Sequence, residues 1–314
     1  QYGDITDGYA LGNVYGEDET GGFVGRTQNG IITNCYAEGS ITGEDYTAGF
    51  AGYFHSGQIN DSYAIGAVTS SDNYVGGFVG RNESGAINCC YATGSVEGDD
   101  YVGGFAGYTS TTATVVLSFS QGGVTGKSNV AGFTGYNNGA TIRNSFTTSN
   151  VTADNIGAGF AGTNVSSGSF INCYASAELN VSGSTFGGFL AQSWSGAHIA
   201  SFWNTDTSGV LTSAGGAQIT GITSAQVANE ATFTSAGWDF DTIWVMLAGG
   251  NAVLQCSNLI VPEVPMLGSG TEDDPYQIQN AAHLEQVNDD LNAYYILVND
   301  IDLASVVYTT AIIS

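Results

Sequence analysis

The sequence predicts an all-β protein: a right-handed parallel β-solenoid of about eight three-stranded coils, then a capping segment and a small C-terminal α+β segment. Three observations predict this class. Two motifs recur together every 27–28 residues. Apolar and polar residues alternate within short stretches, which is the period of a β-strand. Glycine supplies 46 of the 314 residues and helix formers are scarce, which argues against a helical repeat.

The first motif is Gly-Gly-Phe-Val-Gly at residues 21–25, and its phenylalanines are spaced 27, 28, 27, 28, 27 and 29 residues apart. Equivalent positions in stacked coils touch, so we expect these rings to form one inward ladder. The glycine beside each ring fits tight turns and positive φ angles. The ladder comprises Phe23, Phe50, Phe78, Phe105, Phe133, Phe160 and Phe189.

The second motif is Asn34-Cys35-Tyr36-Ala37, whose aromatic residue repeats in step with the first motif. This row predicts a second inward ladder, made of Tyr9, Tyr36, Tyr63, Tyr91, Phe119, Phe146, Tyr174 and Phe202. Each coil then holds three strands: the Gly-Phe stretch, an Ile-x-Asn-Cys-Tyr-Ala stretch and a Gly-Ser-Ile or Gly-Ser-Val stretch. Successive coils should stack ~4.8 Å apart, and right-handed winding is the default for parallel crossovers.

These motifs resemble the GLUG-motif repeat of large secreted and surface-attached microbial proteins, including adhesin-like proteins. The resemblance covers residues 1–210 as repeats and continues into two aromatic segments at residues 202–209 and 237–244. It implies an extracellular or cell-surface location and a structural role. It implies no catalytic residues.

The chain divides into residues 1–210, a capping segment at 211–262 and a C-terminal segment at 263–314. Residues 223–230 have a Ser/Thr start and predict a short helix, which we expect to cap the open end of the rod. Two prolines within 261–265 mark a linker. A helix is expected from Asn280, followed by strand-like residues.

Residues 3–10 align with residues 30–37, so the sequence starts in mid-coil, and the C-terminal segment resembles the usual start of such a solenoid. Two explanations remain open. The sequence is a piece of a longer tandem array, or the C-terminal segment of one copy completes the first coil of the next, giving a head-to-tail filament. The predicted assembly residues are Gly3, Ile5, Tyr9, Tyr295, Ile296, Val307 and Ile312.

Charge and hydropathy exclude two kinds of partner, nucleic acid and the interior of a membrane. The 29 acidic against 4 basic residues give a net charge of −25. Four positive residues cannot form a phosphate-binding patch, so nucleic acid is excluded. No apolar run reaches the ~18 residues that span a bilayer, so we expect no direct membrane insertion.

One acidic position repeats in step with the coils, five or six residues before the phenylalanine. Stacking would place these carboxylates roughly 5 Å apart. Calcium bridging them and a solvated turn screened by salt both remain open, and calcium is the one cofactor that the sequence suggests. The residues are Asp18, Asp45, Asp72, Asp100 and Asp154.

The pattern offers no nucleophile, acid or base pair, so we expect no enzyme. Cys35, Cys90 and Cys173 share one repeat position and fit small buried filler, whereas Cys89 and Cys256 have no evident partner.

The sequence therefore predicts a non-enzymatic extracellular rod that assembles with itself. The alternative is a surface adhesin that binds glycans or a host protein, a role in which calcium could assist. A binder should show exposed aromatics clustered in one coil, for which Tyr53, Trp194 and Trp203 are the hints.

Overall fold

A computed structural model describes residues 3–247, 250–256, 269–278, 287 and 291–298. The chain forms two compact units, residues 1–256 and 257–314. The first unit is a parallel β-solenoid of about seven turns, which confirms the predicted fold class. The eight aromatic positions of the repeat are the rungs that bound those turns.

Each complete coil consists of five short strands, and equivalent strands of successive coils pair in parallel, in five rows. In the first two coils the strands of rows one and two are continuous, as Val24–Thr33 and Ala51–Asn60. Row one continues with Val79–Asn82, Ala106–Thr109, Thr134–Asn138, Ala161–Val165 and Leu190–Ser193. Row two also contains Ile5–Thr6, Ala86–Asn88, Thr114–Val116, Thr141–Arg143 and Ser169–Ile171.

The remaining rows complete the coil. Row three, the Tyr row, is Tyr9–Ala10, Tyr36–Ala37, Tyr63–Ala64, Tyr91–Ala92, Phe119–Ser120, Phe146–Thr147, Tyr174–Ala175, Ser201–Asn204 and Ile219–Ile222. Row four is Val14–Tyr15, Ile41–Gly43, Val68–Ser70, Val96–Glu97, Val124–Gly126, Val151–Ala153 and Leu179–Val181. Row five is Val75–Gly76, Asp100–Gly103, Ser128–Ala131, Ile156–Ala158 and Thr185–Gly187.

The coil has five strands and not the three expected, and two of its corners bend at residues with positive φ. The first corner precedes the Cys or Ser of the second motif and is held by Asn34 (φ 54°) and Asp61 (φ 48°) among others. Asn and Asp visit this left-handed region more readily than other non-glycine residues. The second corner is held by Tyr46 (φ 59°) and Tyr74 (φ 62°). Sequence alternation alone did not show these bends.

The structure places the seven phenylalanines of the first motif in one continuous stack. Ring centroids of successive members lie 4.6 to 5.0 Å apart. Six of them, from Phe50 to Phe189, are fully buried. The glycine before each ring has a reason other than the expected positive φ: a Cβ at Gly49 would collide with the Gly77 carbonyl of the next coil.

The Tyr row forms a second stack, but it faces outward, which corrects the inward placement expected for it. The alanines Ala37 and Ala64 pack into the same inner core as the phenylalanines. Successive residues of a strand point to opposite faces, so the neighbouring tyrosines Tyr36 and Tyr63 point away from that core. Their rings still stack, with centroids 4.9 Å apart.

Residues 212–222 close the C-terminal end of the solenoid. Gly188 N donates to Thr212 O at 2.9 Å, and Ala214 N donates to Leu190 O at 2.8 Å. The strand Ile219–Ile222 then pairs in parallel with Ser201–Asn204 and adds a ninth strand to the Tyr row. Backbone pairing by an irregular strand therefore closes this end, and the predicted helix follows it directly.

Four short helices accompany this end: α1 (Thr205–Ser208), a 3-10 helix (Gly216–Gln218), α2 (Ser224–Val227) and α3 (Glu230–Thr234). Thr223 caps α2, and Gln226 completes the capping box, as the predicted Ser/Thr start implies. An antiparallel hairpin follows, Trp244–Met246 with Ala252–Leu254.

Residues 224–247 and 250–256, hereafter the flank segment, lie along the outside of the Tyr row. Phe233 contacts Tyr174 and Phe202 edge-on, at 6.0 and 5.6 Å between centroids. Trp244 contacts Phe146 at 6.2 Å and is fully buried. The segment thus covers the outward aromatic stack, whereas the start of the helix predicted at 223–230 lies against the last coil, where Ser224 N donates to Asp206 at 2.8 Å.

The second unit contains a parallel pair of strands, Tyr276–Ile278 with Tyr295–Leu297. The predicted helix from Asn280 lies outside the described residues, apart from Val287. In the part of the chain that the structure describes, no helix is long and apolar enough to cross a membrane.

Candidate functional site on a tyrosine and arginine face

One side of the solenoid gathers aromatic and basic side chains, hereafter the Tyr–Arg face. It consists of two adjacent rows. The corner row is Tyr46, Tyr74 and Tyr101, and the strand row is Arg26, Tyr53, Arg81, Tyr108 and Tyr136. The corner row occupies the second left-handed corner of three successive coils. The strand row belongs to row one of the solenoid, where parallel pairing sets each member opposite the next.

The rings of this face pack on one another in both directions. Along the corner row, Tyr74 stacks between Tyr46 and Tyr101 with centroids 4.9 Å away on each side. Across the rows, Tyr74 meets Tyr108 edge-to-face at 5.7 Å. Both geometries are favoured for aromatic pairs. The face is therefore a preorganised lattice.

Arg81 is inserted between two tyrosines of the strand row. Its guanidinium carbon lies 4.9 Å from the Tyr108 centroid and 5.6 Å from the Tyr53 centroid, which is cation–π distance. Its Nε donates to Glu83 at 2.7 Å. Arg26 lies 4.8 Å from the Tyr53 ring and pairs with Glu19 at 2.8 Å. Two of the four basic residues of the chain are thus held here, each neutralised by a glutamate.

Neighbouring rings cover the ring faces, Asn138 Nδ2 donates to the Tyr108 hydroxyl at 2.7 Å, and the Tyr53 hydroxyl donates to Glu83 at 3.4 Å. The six tyrosines are half-buried, and burial raises the pKa of Tyr53, Tyr74 and Tyr136. These phenols consequently stay protonated at neutral pH and offer uncharged donors and acceptors. Such a surface suits recognition by hydrogen bonding and packing.

Two of the acidic turns predicted to bind calcium are hydrogen-bonded, one within its turn and one to the turn of the next coil. Asp45 accepts from Asn73 N at 3.0 Å, and Asp72 accepts from the Asn73 side chain at 2.9 Å. Burial and the Asp99 charge raise the pKa of Asp100. Asp18 and Asp154 are exposed.

No group of three or more His, Cys, Asp or Glu residues that could hold a metal occurs among the described residues. The structure therefore brings no three of the predicted carboxylates together. Calcium binding at these turns stays a prediction.

The predicted assembly residues lie in separate units. Ile5 and Tyr9 belong to the first coil and pair with Ile32 and Tyr36 of the next. Gly3 precedes them and is exposed. Tyr295 and Ile296 belong to the strand pair of the second unit, and Val307 and Ile312 lie outside the described residues.

The structure shows the surroundings of the aromatic residues and of the two cysteines that the motifs did not explain. Tyr53 is part of the Tyr–Arg face, whereas Trp203 is buried and Trp194 has 78% of its surface exposed. Cys89 and Cys256, which had no evident partner, lie side by side with their thiols hydrogen-bonded.

Sequence reasoning missed the Tyr–Arg face because its tyrosines do not belong to the two motifs. The signal was present as the 28- and 27-residue spacing from Tyr46 to Tyr74 to Tyr101. A buried polar ladder was missed for the same reason. In it, the Asn137 side chain donates to Asn164 Oδ1 at 2.9 Å.

Comparison with known proteins confirms the resemblance that the motifs suggested. The model of the GLUG motif matches residues 19–42 and 71–97. A curated protein of Evansella cellulosilytica, named as a Gly-rich membrane protein, is 38% identical over 116 residues. That alignment covers 34% of this chain and 13% of the relative. No solved structure matches the chain.

Proposed function

We propose that this GLUG-motif chain is a non-enzymatic structural repeat protein of a microbial cell surface, a rod that extends by stacking coil on coil. The observation that carries the proposal is the in-register packing of like on like along the whole solenoid, with phenylalanine rings 4.6 to 5.0 Å apart. Coils that bury their faces only against neighbours make an extended object. The GLUG match and a relative named as a membrane protein support a surface location.

We further propose that the rod joins other copies head to tail. In the first described coil, Ile5 and Tyr9 pair in parallel with Ile32 and Tyr36 of the next coil, and in this proposal a strand of another copy pairs along the opposite edge. Unpaired backbone groups on such an edge are a template for another strand. Tyr9 already stacks on Tyr36 at 5.5 Å, so a further aromatic rung would continue the same stack. The proposed donor is the C-terminal segment of another copy, including Tyr295, Ile296, Val307 and Ile312.

Electron microscopy of the purified chain tests this assembly. We expect regular fibres whose axial repeat is close to one subunit length, and we expect deletion of residues 304–314 to abolish them. Tyr9→Lys should also prevent fibres, because a charged side chain blocks edge pairing. Leu211→Lys is the matched control, since Leu211 is 80% exposed away from that edge. Discrete rods at every concentration, or fibres unchanged by the deletion, would overturn the filament.

The Tyr–Arg face supports a second candidate function, adhesion to a host or neighbouring cell. Tyr and Arg are the residues most enriched where interfaces carry their binding energy. A sugar ring would stack on an open aromatic face. Here neighbouring rings 4.9 Å away cover both faces of Tyr74. This packing of the ring faces favours a protein ligand over a glycan.

Binding of the labelled chain to intact cells tests the adhesive role. We expect the double variant Tyr74→Ser/Tyr108→Ser to lose binding, whereas Tyr15→Ser should retain it. Treating the cells with trypsin should remove the binding sites if the ligand is a protein, and glycosidase treatment should not. Equal binding by the two variants would exclude the face as the adhesive site.

Calcium assistance is a separate part of the proposal. If calcium bridges the acidic turns, a chelator should lower the melting temperature, and calcium should restore it where magnesium at equal ionic strength does not. A melting temperature that responds identically to both cations would indicate screening of charge alone.

A further inference from the structure

Two half-buried cysteines from distant parts of the chain lie side by side on the solenoid flank. The thiols of Cys89 and Cys256 are hydrogen-bonded to each other and are not bridged. Cys256 Sγ also lies 3.8 Å from the carbonyl oxygen of Leu117. Leu117 is the residue of the next coil opposite Cys89, because Asn88 pairs with Val116 and Cys89 N donates to Val116 O at 3.2 Å.

The backbone fixes both members of the pair. Cys89 occupies the first left-handed corner (φ 52°), where most other coils have Asn or Asp and the next coil has Leu117 (φ 53°). Its neighbour Cys90 is fully buried, and its thiol donates to Asn88 O at 3.3 Å, so only Cys89 is available outside the core. Cys256 directly follows the hairpin, where Gln255 N donates to Ile243 O at 2.7 Å.

We propose that Cys89 and Cys256 form a disulfide under oxidising conditions and thereby fasten the flank segment to the fourth aromatic rung. The oxidant is a low-molecular-weight disulfide. The Cys89 thiolate attacks one of its sulfurs, and a mixed disulfide forms as one small thiolate leaves. The Cys256 thiolate then displaces the second small thiolate. The two protein thiols lose two electrons and two protons, and the small disulfide becomes two thiols.

The surroundings favour this order of attack. The hydrogen bond from Cys256 lowers the pKa of the Cys89 thiol, more than burial raises it. The same contact raises the pKa of Cys256. The thiolate is the attacking form, so Cys89 reacts first. Cys35, Cys90 and Cys173 are at most 1% exposed and stay reduced.

The bridge would close a loop running from residue 89 to residue 256, which includes most of the solenoid. Cross-linking a long loop removes much of the freedom of the unfolded chain. The inference is independent of the proposed function, although an extracellular location would supply the oxidising conditions.

Thiol counting on the intact chain tests the bridge. The purified protein is incubated with oxidised glutathione or with a reductant and then denatured for reaction with Ellman's reagent. We expect five thiols after reduction and two fewer after oxidation. The cross-linked peptides should contain Cys89 and Cys256. Oxidation should raise the melting temperature by roughly 5–10 °C.

Variants identify the bonded pair. Cys89→Ser and Cys256→Ser should each keep the same thiol count before and after oxidation. Cys173→Ser should still lose two thiols, because serine already fills the equivalent buried position at Ser145. An unchanged count in the parent protein, a glutathione adduct on Cys89 without the bridge, a Cys89–Cys90 linkage or an intermolecular disulfide would each overturn the proposal.

Discussion

Phe105 lies in the middle of the phenylalanine stack, 5.0 Å from Phe78 and 4.8 Å from Phe133, and is fully buried. Phe105→Ala removes a ring with neighbours on both sides and should reduce the free energy of unfolding by about 3–5 kcal/mol. Urea denaturation followed by circular dichroism measures the change. Phe186→Ala is the control, because Phe186 is 44% exposed and should cost less than about 1 kcal/mol. Equal losses in the two variants would contradict the ladder as the core.

His198 gives the solenoid a pH dependence of known sign. The ring is 5% exposed, stacks on Phe170 at 5.2 Å and accepts from Phe170 N through Nδ1. Burial lowers its pKa, so the unfolded chain takes up the proton first as the pH falls. The stability due to neutral His198 is complete above the unfolded pKa of about 6.5 and is lost as the pH falls towards the lowered folded value.

We therefore expect His198→Gln to show a smaller loss of stability between pH 7 and pH 5 than the parent protein. Urea midpoints at the two pH values, measured in parallel, give the comparison. Carboxylates also titrate in this range, but they are common to both proteins and cancel in the difference. Identical pH dependence in both proteins would show that His198 does not contribute.

The sequence predicted which residues stack between coils, but it predicted only in part whether their side chains point into or out of the solenoid. A Phe flanked by Gly-Gly indicates contact between successive coils, and the structure stacks those rings inside. A Tyr followed by Ala has the same period, but the structure packs the alanines in the core and sets the aromatic rings against Phe233 and Trp244, far along the chain. The repeat period identifies a stack of rings, but it does not show whether that stack lies inside or outside the solenoid.

At the scale of elements, the flank segment should detach while the solenoid stays folded. Trp244 is fully buried between Phe146 and Trp238, with centroids 6.2 and 4.4 Å away. Trp244→Ala should destabilise this attachment by about 3–5 kcal/mol. Hydrogen exchange should then accelerate in residues 224–247 and at the Tyr row, and not in strands of row one. Uniform acceleration along the chain would mean that segment and solenoid unfold as one unit.

The sequence predicted the α2 start and the end of the repeats but not the path of the flank segment. The capping signal at Thr223 is local, so it was readable. The path depends on contacts such as Trp238 Nε1 to Ala200 O at 2.8 Å, which join residues 38 positions apart. The same limit hid the pair of Cys89 and Cys256.

At the scale of the whole molecule, a net charge of −25 should make stability depend on salt. The described residues contain three ion pairs, so most carboxylates repel one another without compensation. Raising sodium chloride from about 10 mM to about 150 mM shortens the screening length from ~30 Å to ~8 Å and should raise the melting temperature. Calorimetry measures it, with sucrose at equal osmolarity as the control. A melting temperature that falls with salt would contradict the charge argument.

The fold class was readable from the sequence because a solenoid repeats its contacts. Each coil contributes the same information again, so a weak pattern becomes strong over 200 residues. The Tyr–Arg face was harder to find because it occupies three to five coils only. A feature confined to a few repeats is a departure from the pattern, and departures are where a repeat protein differs from its relatives.

The flank segment also divides the rod into two parts with different freedom to evolve. Recombination between near-identical repeats inserts or deletes whole coils, each worth ~4.8 Å of length. From the fourth rung onwards, such a change would displace Phe146, Tyr174 and Phe202 from the residues that cover them. The described aromatic contacts of the flank segment involve these last three rungs. Length polymorphism between strains should therefore concentrate in the first three repeats, leaving the last five constant in number.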